Sequence, residues 1–328
     1  MTNKNSRLEW VDVLRGIAML LVLWGHVDRV DRPFFVVTGP FKMPLFFAIT
    51  GYLFKDRGGD CKLFFTRLFQ NIIIPWFILS LVWMKMIYAL VRGRPNLIPA
   101  YLYNFISGKD FWFMPCIIIA ETLFFLICKY ISDVRLRYAA MLLVSLVGII
   151  LSHFGIAGFA MIDVACTAQI FLLFGYWFRN NETLLREKFS AKLCVGLAAL
   201  YFVLLGISAK LFPGQSIDVH TNRYFNYPLC FLMSFVSLLF LFLVAPKVRA
   251  NLRWIIFVGR NTIVFYIVHY HARSLLIHGL HWLGFTMPKT LPWFVVTYLF
   301  ICVSMSIVAV IINKWFPFIL GKKRVRTE

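Results

Sequence analysis

Long apolar runs separated by short polar segments dominate the chain. A helix that crosses the hydrocarbon core of a bilayer needs about 20 mostly apolar residues, and about ten runs approach that length. The second run contains Gly39, Pro40 and Pro44, so we expect a kinked or partly re-entrant helix there. The predicted helices lie near residues 11–30, 33–54, 67–91, 110–130, 138–153, 158–178, 193–212, 224–245, 255–280 and 290–313.

Composition supports a membrane protein. The chain is 61% hydrophobic and only 15% charged, and its mean hydropathy of +0.78 is far above that of a soluble domain. We therefore predict an all-α, polytopic protein with about ten transmembrane helices embedded in the lipid bilayer. One membrane domain is expected over residues 1–328, with short cytoplasmic tails at 1–9 and 314–328.

The basic charge follows the predicted topology. The formal net charge is +20, which raises the question of a nucleic-acid partner. With a cytoplasmic amino terminus, however, most of the 34 lysines and arginines fall in the tails and loops on the cytoplasmic side, Arg260 among them. This bias is the positive-inside rule. It predicts that both termini are cytoplasmic, and it accounts for the charge without nucleic acid.

Cysteine and histidine spacing gives no metal signature. The seven cysteines include no CxxC pair and read as small packing residues. The ninth run carries His269, His271, His278 and His281. Positions two apart do not share a helix face, and no carboxylate lies nearby in sequence, so we predict no metal site.

The first run carries an unusual set of ionisable residues. The stretch VDVLRGIAMLLVLWGH (11–26) contains Asp12, Arg15 and His26. At 3.6 residues per turn, Arg15 and His26 differ by about 20° in azimuth, and Asp12 lies about 60° from Arg15. His26 would lie roughly 16 Å along the helix from Arg15. Because ionisable groups are costly in lipid, we expect this stripe to line the bundle interior or a wet cavity.

Two interpretations of the stripe stay open. Asp12 and Arg15 could form an interfacial i, i+3 pair while His26 hydrogen-bonds a neighbouring helix. Alternatively, Arg15 holds an anion that enters from the cytoplasm, and His26 performs proton chemistry further along the helix.

Five blocks of sequence resemble the acyltransferase-3 family of integral-membrane acyltransferases. They are DVLRGIAMLLVLWGH (12–26), FKMPLFFAITGYLF (41–54), FFTRLFQNIIIPW (64–76), FWFMPCIIIAE (111–121) and NTIVFYIVHY (261–270). The first has the family's spacing of a basic residue eleven positions before a histidine. The second has Thr50 where serine is usual and Lys42 where histidine is common, departures that bear on the identity of the acceptor.

The resemblance implies a ten-helix enzyme of the bacterial cytoplasmic (inner) membrane. It implies transfer of an acyl group, usually acetyl, from cytoplasmic acetyl-coenzyme A to a hydroxyl of a cell-envelope glycan such as O-antigen or capsule. Polysaccharide O-acetyltransferases of the fucose 4-O-acetylase type are the members that this chain resembles. On this basis Arg15 would bind coenzyme A phosphate, and His26 would act as general base, assisted by Asp12 and Glu121. Lys42 and Thr50 would contact the acceptor.

Each supporting position also has a plainer interpretation. Arg57, Lys62 and Arg67 could receive the phosphates of coenzyme A, or could only determine topology. Glu121 could orient His26 or Arg15, or could be protonated within the bundle.

Two further residues are candidates for substrate binding. Trp112 enters through the fourth block, although a tryptophan near a helix end often belongs to an interfacial aromatic belt. His269 could donate to the thioester oxygen, bind the acceptor, or simply pack.

Two rival functions remain at the level of the sequence. A transporter or flippase for a glycan or organic anion could use Arg15, Glu121 and His26 to bind substrate or relay protons. Transporters often have broken helices at matching positions of two halves, and the break near Gly39 has no clear counterpart. A non-catalytic scaffold is the third possibility, but it would not need a buried ionisable stripe.

Overall fold

The computed structural model describes residues 8–27, 32–56, 59–248, 251–286, 288 and 290–322. Helices make up nearly all the regular structure of these residues, and the exception is an isolated antiparallel bridge between Asp218 and Arg223. In chain order the helices are α1 (Glu9–Gly25), α2 (Arg32–Lys42), α3 (Pro44–Leu53), α4 (Cys61–Val91), α5 (Ile98–Ser107), α6 (Phe113–Tyr130), α7 (Val134–His153), α8 (Ile162–Thr167), α9 (Gln169–Asn180), α10 (Glu182–Glu187), α11 (Ala191–Leu211), α12 (Tyr227–Val244), α13 (Arg253–Arg260), α14 (Thr262–Trp282) and α15 (Leu291–Trp315). Short 3₁₀ turns lie at Pro95–Leu97, Phe159–Met161, Ala245–Lys247 and Pro317–Leu320.

Seven helices of the described residues are long and apolar enough to cross a membrane. They are Pro33–Leu53, Cys61–Val91, Phe113–Tyr130, Val134–His153, Ala191–Leu211, Tyr227–Lys247 and Leu291–Trp315. The bent pair Phe159–Thr167 and Gln169–Asn180 makes an eighth if it is one span. The predicted all-α, polytopic class is therefore confirmed.

The first and ninth predicted runs correspond to α1 and α14, which are not among these seven spans. Helix α1 has only 17 residues. Helix α14 is interrupted by polar residues such as His269, His271 and Arg273, which lower its apolarity. The count of ten transmembrane helices and the cytoplasmic position of both termini stay predictions.

The predicted break in the second run is small. Helices α2 and α3 are separated at Met43, and together they still count as the single span Pro33–Leu53. Pro44 opens α3, a position where proline's missing N–H is not needed. The sharper bend, 45°, lies between α8 and α9.

The chain divides into two compact units. The first unit comprises Met1–Gly25, Val30–Phe54 and Ile170–Thr262, and the second comprises His26–Arg29, Lys55–Gln169 and Ile263–Glu328. Their segments alternate along the chain, so neither unit is a continuous stretch of sequence. The single membrane domain over residues 1–328 stays a prediction.

Glycines bring helices of the first unit into close contact. Gly16 on α1 faces the carbonyl oxygen of Ile255 on α13, and Gly259 on α13 faces the carbonyl oxygen of Asp12 on α1. A Cβ atom at either glycine would overlap these backbone atoms. Small residues permit this close approach between helices that lipid alone does not drive together.

A second crossing of this kind joins α3 and α9. Gly51 faces the carbonyl oxygen of Leu172, and Gly175 faces that of Ala48. The glycine of the ITGYL block is thus a packing residue. Nearby, the fully buried rings of Phe178 and Phe242 meet edge to face, 5.0 Å apart.

The second unit contains its own polar contacts between helices. The Ser145 hydroxyl on α7 donates to the carbonyl oxygen of Thr167 on α8 at 3.0 Å. The Gln169 amide nitrogen donates to the carbonyl oxygen of Ala120 on α6 at 3.0 Å. The first bond satisfies a backbone carbonyl at the end of α8 and holds α7 against it, and the second ties Gln169 to the middle of α6.

Candidate active site

Two histidines of the second unit lie against each other. His26 is in the turn that follows α1 and is half-buried, while His269 lies on α14 and is only 1% exposed. Their ring centroids are 4.9 Å apart and the rings meet edge to face, at an angle of 69°. The pair joins the end of the first predicted run to the ninth, as expected if the stripe on the first run faces other helices.

The hydrogen bonds of His269 define which ring nitrogen carries its proton. Nδ1 lies 2.8 Å from the carbonyl oxygen of Tyr266 and 3.1 Å from that of Phe265. Carbonyl oxygens only accept, so Nδ1 is the donor, and in the neutral ring Nε2 carries a lone pair. Among the described residues Nε2 has no hydrogen-bond partner, although it is buried. His269 therefore presents an unused acceptor inside the second unit.

Two tyrosines of α14 complete this cluster. The ring of Tyr270 lies 5.4 Å from His26 and 4.4 Å from His269, measured between centroids. The Tyr266 hydroxyl accepts a hydrogen bond from the backbone N–H of Phe113 at 3.4 Å. That contact ties the start of α6 to α14, so the blocks at 111–121 and 261–270 meet in space.

Neither tyrosine was predicted from the sequence as a site residue. The signal for Tyr266 was present, because it stands three residues before His269 in the last block. Trp112, which the fourth block did suggest, is half-buried at the start of α6 and packs edge to face on Phe113, 5.8 Å away. Glu121 lies in the middle of α6 and is half-buried.

In the first unit, Asp12 forms an ion pair that was not predicted from the sequence. Its carboxylate is 2% exposed and accepts a hydrogen bond from Nε of Arg260 at 3.0 Å. A terminal nitrogen of Arg260 also lies 3.7 Å from a carboxylate oxygen of Glu9. Arg260, which the sequence suggested only as a topology charge, is thus the partner of a buried acid. Arg15 lies half-buried on the same helix as Asp12.

The other residues predicted to bind the acyl donor, acetyl-coenzyme A, lie apart from this ion pair in the chain. Lys62 and Arg67 are exposed on the first two turns of α4, in the second unit. Arg57 falls outside the described residues. The structure thus leaves Lys62 and Arg67 accessible to a charged ligand, and their function stays a prediction.

The predicted acceptor residues Lys42 and Thr50 lie in the first unit. The Lys42 ammonium sits 5.7 Å and 5.1 Å from the ring centroids of Phe34 and Phe35. A Cβ atom on Gly25, the last residue of α1, would lie 3.3 Å from Nζ of Lys42. The positive charge therefore lies beside the negative end of the α1 dipole, a stabilising arrangement. Thr50 is half-buried.

The described residues offer no grouping of three or more histidine, cysteine, aspartate or glutamate side chains that could hold a metal ion. What the second unit does offer is a pair of imidazoles, one of which has an oriented, unused lone pair. Imidazole in that state can accept a proton from a hydroxyl, or hold a hydroxyl in place by accepting its hydrogen.

The described residues thus combine several helices long and apolar enough to cross a membrane with a contact between a half-buried and a buried histidine, as a membrane-embedded protein with a polar site would. Residues 8–313 match the family model described as the acyltransferase domain of acyltransferase-3 proteins. The match covers nearly the whole chain, so the protein belongs to this family and is a membrane acyltransferase. No curated protein and no solved structure matches the chain. The resemblance seen in the sequence blocks is thereby confirmed, and the family favours an enzyme over a transporter or scaffold.

Proposed function

We propose that this acyltransferase moves an acetyl group from cytoplasmic acetyl-coenzyme A to a hydroxyl of a cell-envelope glycan such as O-antigen or capsule. We place this reaction in a bacterial cytoplasmic membrane. The observation that supports it is the contact between His26 and His269, with the buried Nε2 of His269 unused by the protein. A buried polar group without a partner is costly, so such a group is expected to serve a substrate.

The proposed reaction needs one proton acceptor and no covalent enzyme intermediate. Neutral His26 takes the proton of the acceptor hydroxyl as its oxygen attacks the thioester carbon. The tetrahedral intermediate then collapses, the carbon–sulfur bond breaks, and the coenzyme A thiolate leaves. The imidazolium of His26 returns its proton to that thiolate, so the histidine is neutral again after each turnover.

His269 is better suited to the acceptor than to the thioester. Its Nδ1 proton is held by two backbone carbonyl oxygens, so Nε2 can accept a hydrogen bond but cannot give one while the ring is neutral. A hydroxyl group can donate to Nε2, whereas a thioester carbonyl oxygen cannot. We therefore assign His269 to a second hydroxyl of the acceptor, which donates to Nε2 and thereby holds the reacting hydroxyl beside His26.

We assign the binding of the acetyl-coenzyme A phosphates to Arg15. A guanidinium can bind phosphate through two parallel hydrogen bonds, which suits the phosphates of coenzyme A. Arg15 precedes His26 by eleven positions, roughly 16 Å of helical rise, and an extended pantetheine arm has a comparable length. Exposed Lys62 and Arg67, together with Arg57, would add longer-range attraction.

Calorimetry of acetyl-coenzyme A binding tests the proposal. Arg15→Ala should weaken binding by roughly 1.5 to 3 kcal/mol, the range for a hydrogen bond to a charged group. Arg15→Lys should recover only part of this, because ammonium keeps the charge but loses the planar fork. Arg253→Ala is the control, since Arg253 is an exposed arginine at the start of α13 and is not among the predicted donor-binding residues. Wild-type protein without saturable binding would refute the acetyl-coenzyme A assignment.

A further inference from the structure

A cleft lies at the end of α14 in the second unit. It has a volume of about 170 Å³ and is formed where the last turns of α14 approach the first turns of α15. This is room for about five water molecules, or for a ligand of similar volume such as one sugar ring. Its lining includes Val27, Ile277, His281, Phe285, Thr290 and Trp293.

The lining combines an aromatic wall with unused polar groups. The rings of Phe285 and Trp293 are 5.0 Å apart and inclined at 47°. Thr290 is the residue before α15, yet its hydroxyl does not cap the helix. Within the described residues, neither that hydroxyl nor the imidazole of His281 takes part in a hydrogen bond. Both groups are therefore available to a ligand in the cleft.

The cleft adjoins the histidine pair through two routes within the second unit. Val27, which lines the cleft, directly follows His26 in the chain. Ile277, which also lines it, is eight residues after His269 on the same helix, roughly 12 Å by helical rise. A ligand in the cleft thus lies within the span of a short oligosaccharide from both imidazoles.

We propose that this cleft binds one sugar ring of the glycan acceptor and directs a hydroxyl of that glycan toward His26 and His269. The ring stacks its C–H face on Trp293, and its hydroxyls pair with His281 and Thr290. This inference rests on the proposed function, because it assumes that the acceptor is a glycan. It adds the residues that select the acceptor and a place for them in the fold.

A lipid chain is a less suitable occupant. Hydrocarbon over His281 and Thr290 would remove water from two polar groups and return no hydrogen bond, which is unfavourable. A sugar ring satisfies both groups and still covers the aromatic wall. Small-molecule sites commonly show this combination of apolar walls and a few convergent polar groups.

Acceptor kinetics test the inference directly. The full chain is purified into lipid nanodiscs, since detergents with sugar head groups would compete. Labelled acetyl-coenzyme A is the donor, and the acceptors are methyl glycosides of glucose, galactose, mannose, fucose and N-acetylglucosamine, each with its octyl glycoside counterpart. Trp293→Ala, Trp293→Phe and His281→Leu are compared with Trp282→Ala. Trp282 is 85% exposed at the end of α14 and does not line the cleft.

Wild type should acetylate at least one methyl glycoside. For that acceptor Trp293→Ala should raise KM about tenfold or more, and His281→Leu should raise it about fivefold or more, as expected for the loss of a stacking surface and of one hydrogen bond to the ligand. Trp293→Phe should recover most of the loss, and Trp282→Ala should match wild type. The dissociation constant for acetyl-coenzyme A should stay unchanged in every variant.

Several results would overturn the inference while leaving the proposed function standing. One is an unchanged acceptor KM in Trp293→Ala. Another is a KM increase limited to the octyl glycosides, which would place a lipid chain in the cleft. A third is a wild type that binds acetyl-coenzyme A but acetylates none of the methyl glycosides. If wild type binds no acetyl-coenzyme A, the proposed function fails, and the inference fails with it.

Discussion

Asp12 in the first unit and His269 in the second are both polar side chains that are almost completely buried, at 2% and 1% exposure. Asp12 is paired with Arg260 at 3.0 Å. His269 uses Nδ1 on backbone carbonyl oxygens and leaves Nε2 without a partner among the described residues. The two side chains are therefore equally buried, but Asp12 has a partner for its charge and His269 has a ring nitrogen without a hydrogen bond.

The difference distinguishes a polar group that stabilises the fold from one that is available to react with or bind a substrate. An acid that is paired inside the protein stabilises the packing of α1 on α13, and removing its partner exposes the cost of burying a charge. An imidazole with an oriented, unused lone pair is available to a hydrogen-bond donor on a ligand. We expect substitutions in the two regions to fail in different measurements.

The largest effect is expected at the histidine pair. His26→Ala should lower acetyl transfer by about 10² to 10⁴-fold, the usual contribution of a general base, while the protein still inserts and binds acetyl-coenzyme A. His269→Ala should act chiefly on the acceptor and raise its KM. Labelled acetyl transfer in nanodiscs measures both.

His278→Ala is the control for the pair, because His278 is exposed on the same helix as His269 and bonds only to its own helical neighbours. Near-normal transfer by well-expressed His26→Ala would remove the proposed base. If His269→Ala instead abolished turnover at saturating acceptor and His26→Ala only raised KM, the two assignments would have to be exchanged.

A smaller effect, on stability, is expected at the ion pair of the first unit. Arg260→Ala should lower the free energy of unfolding by about 1.5 to 3 kcal/mol, because the buried Asp12 carboxylate loses a charged hydrogen-bond donor whose side chain is itself 40% exposed. Arg253→Ala on the same helix should change it by no more than about 0.5 kcal/mol. Denaturant unfolding in detergent, followed by tryptophan fluorescence, gives both values.

A further variant, Asp12→Asn, tests the predicted catalytic role of Asp12. If Asp12 acts only through its pair with Arg260, then Asp12→Asn should lose stability but keep its transfer rate per folded molecule. A large loss of turnover in Asp12→Asn at undiminished stability would place the carboxylate in the reaction. It would also show that burial and pairing are compatible with a catalytic function here.

The smallest effect is expected at the glycine crossings. A Cβ atom on Gly175 would overlap the carbonyl oxygen of Ala48, so Gly175→Ala should destabilise by about 1 to 3 kcal/mol. A Cβ atom on Gly206, which lies within α11, meets nothing within 4 Å. Gly206→Ala should therefore stabilise by about 0.5 to 1 kcal/mol, because alanine favours the helix.

If α3 and α9 cross closely, the two substitutions should change stability in opposite directions. Thermal unfolding of both variants in the same detergent measures these changes. Stabilisation by Gly175→Ala would mean that α3 and α9 do not approach as closely as the structure places them. Gly206→Ala should leave the acetyl-transfer rate unchanged, so this rate serves as a further control.

Much of the candidate site was visible in the sequence because the informative residues lie in local patterns. Arg15 and His26 share a helical stripe, and that stripe predicted contact with other helices, which His26 makes with His269. Trp112 and His269 came from the blocks that resemble the family. Tyr270 gave no signal, because an aromatic residue beside a histidine is ordinary in so aromatic a chain.

The pairing of Asp12 could not be predicted in the same way. Its partner Arg260 is 248 positions away in the chain, so no local pattern in the sequence brings the two residues together. The cleft beside Val27 was equally hidden, since its walls come from the turn after α1, the end of α14 and the start of α15.

The sequence by itself determined that this protein is a membrane protein, that it is helical and that it belongs to the acyltransferase family. Those properties depend on composition, on the length of apolar runs and on short motifs, all of which are local and do not require knowing which helices touch. The tertiary structure decided which buried polar groups are satisfied. That depends on the register and separation of helices distant in the chain, and on glycines such as Gly16 and Gly259 that let two backbones meet closely enough for Arg260 to reach Asp12.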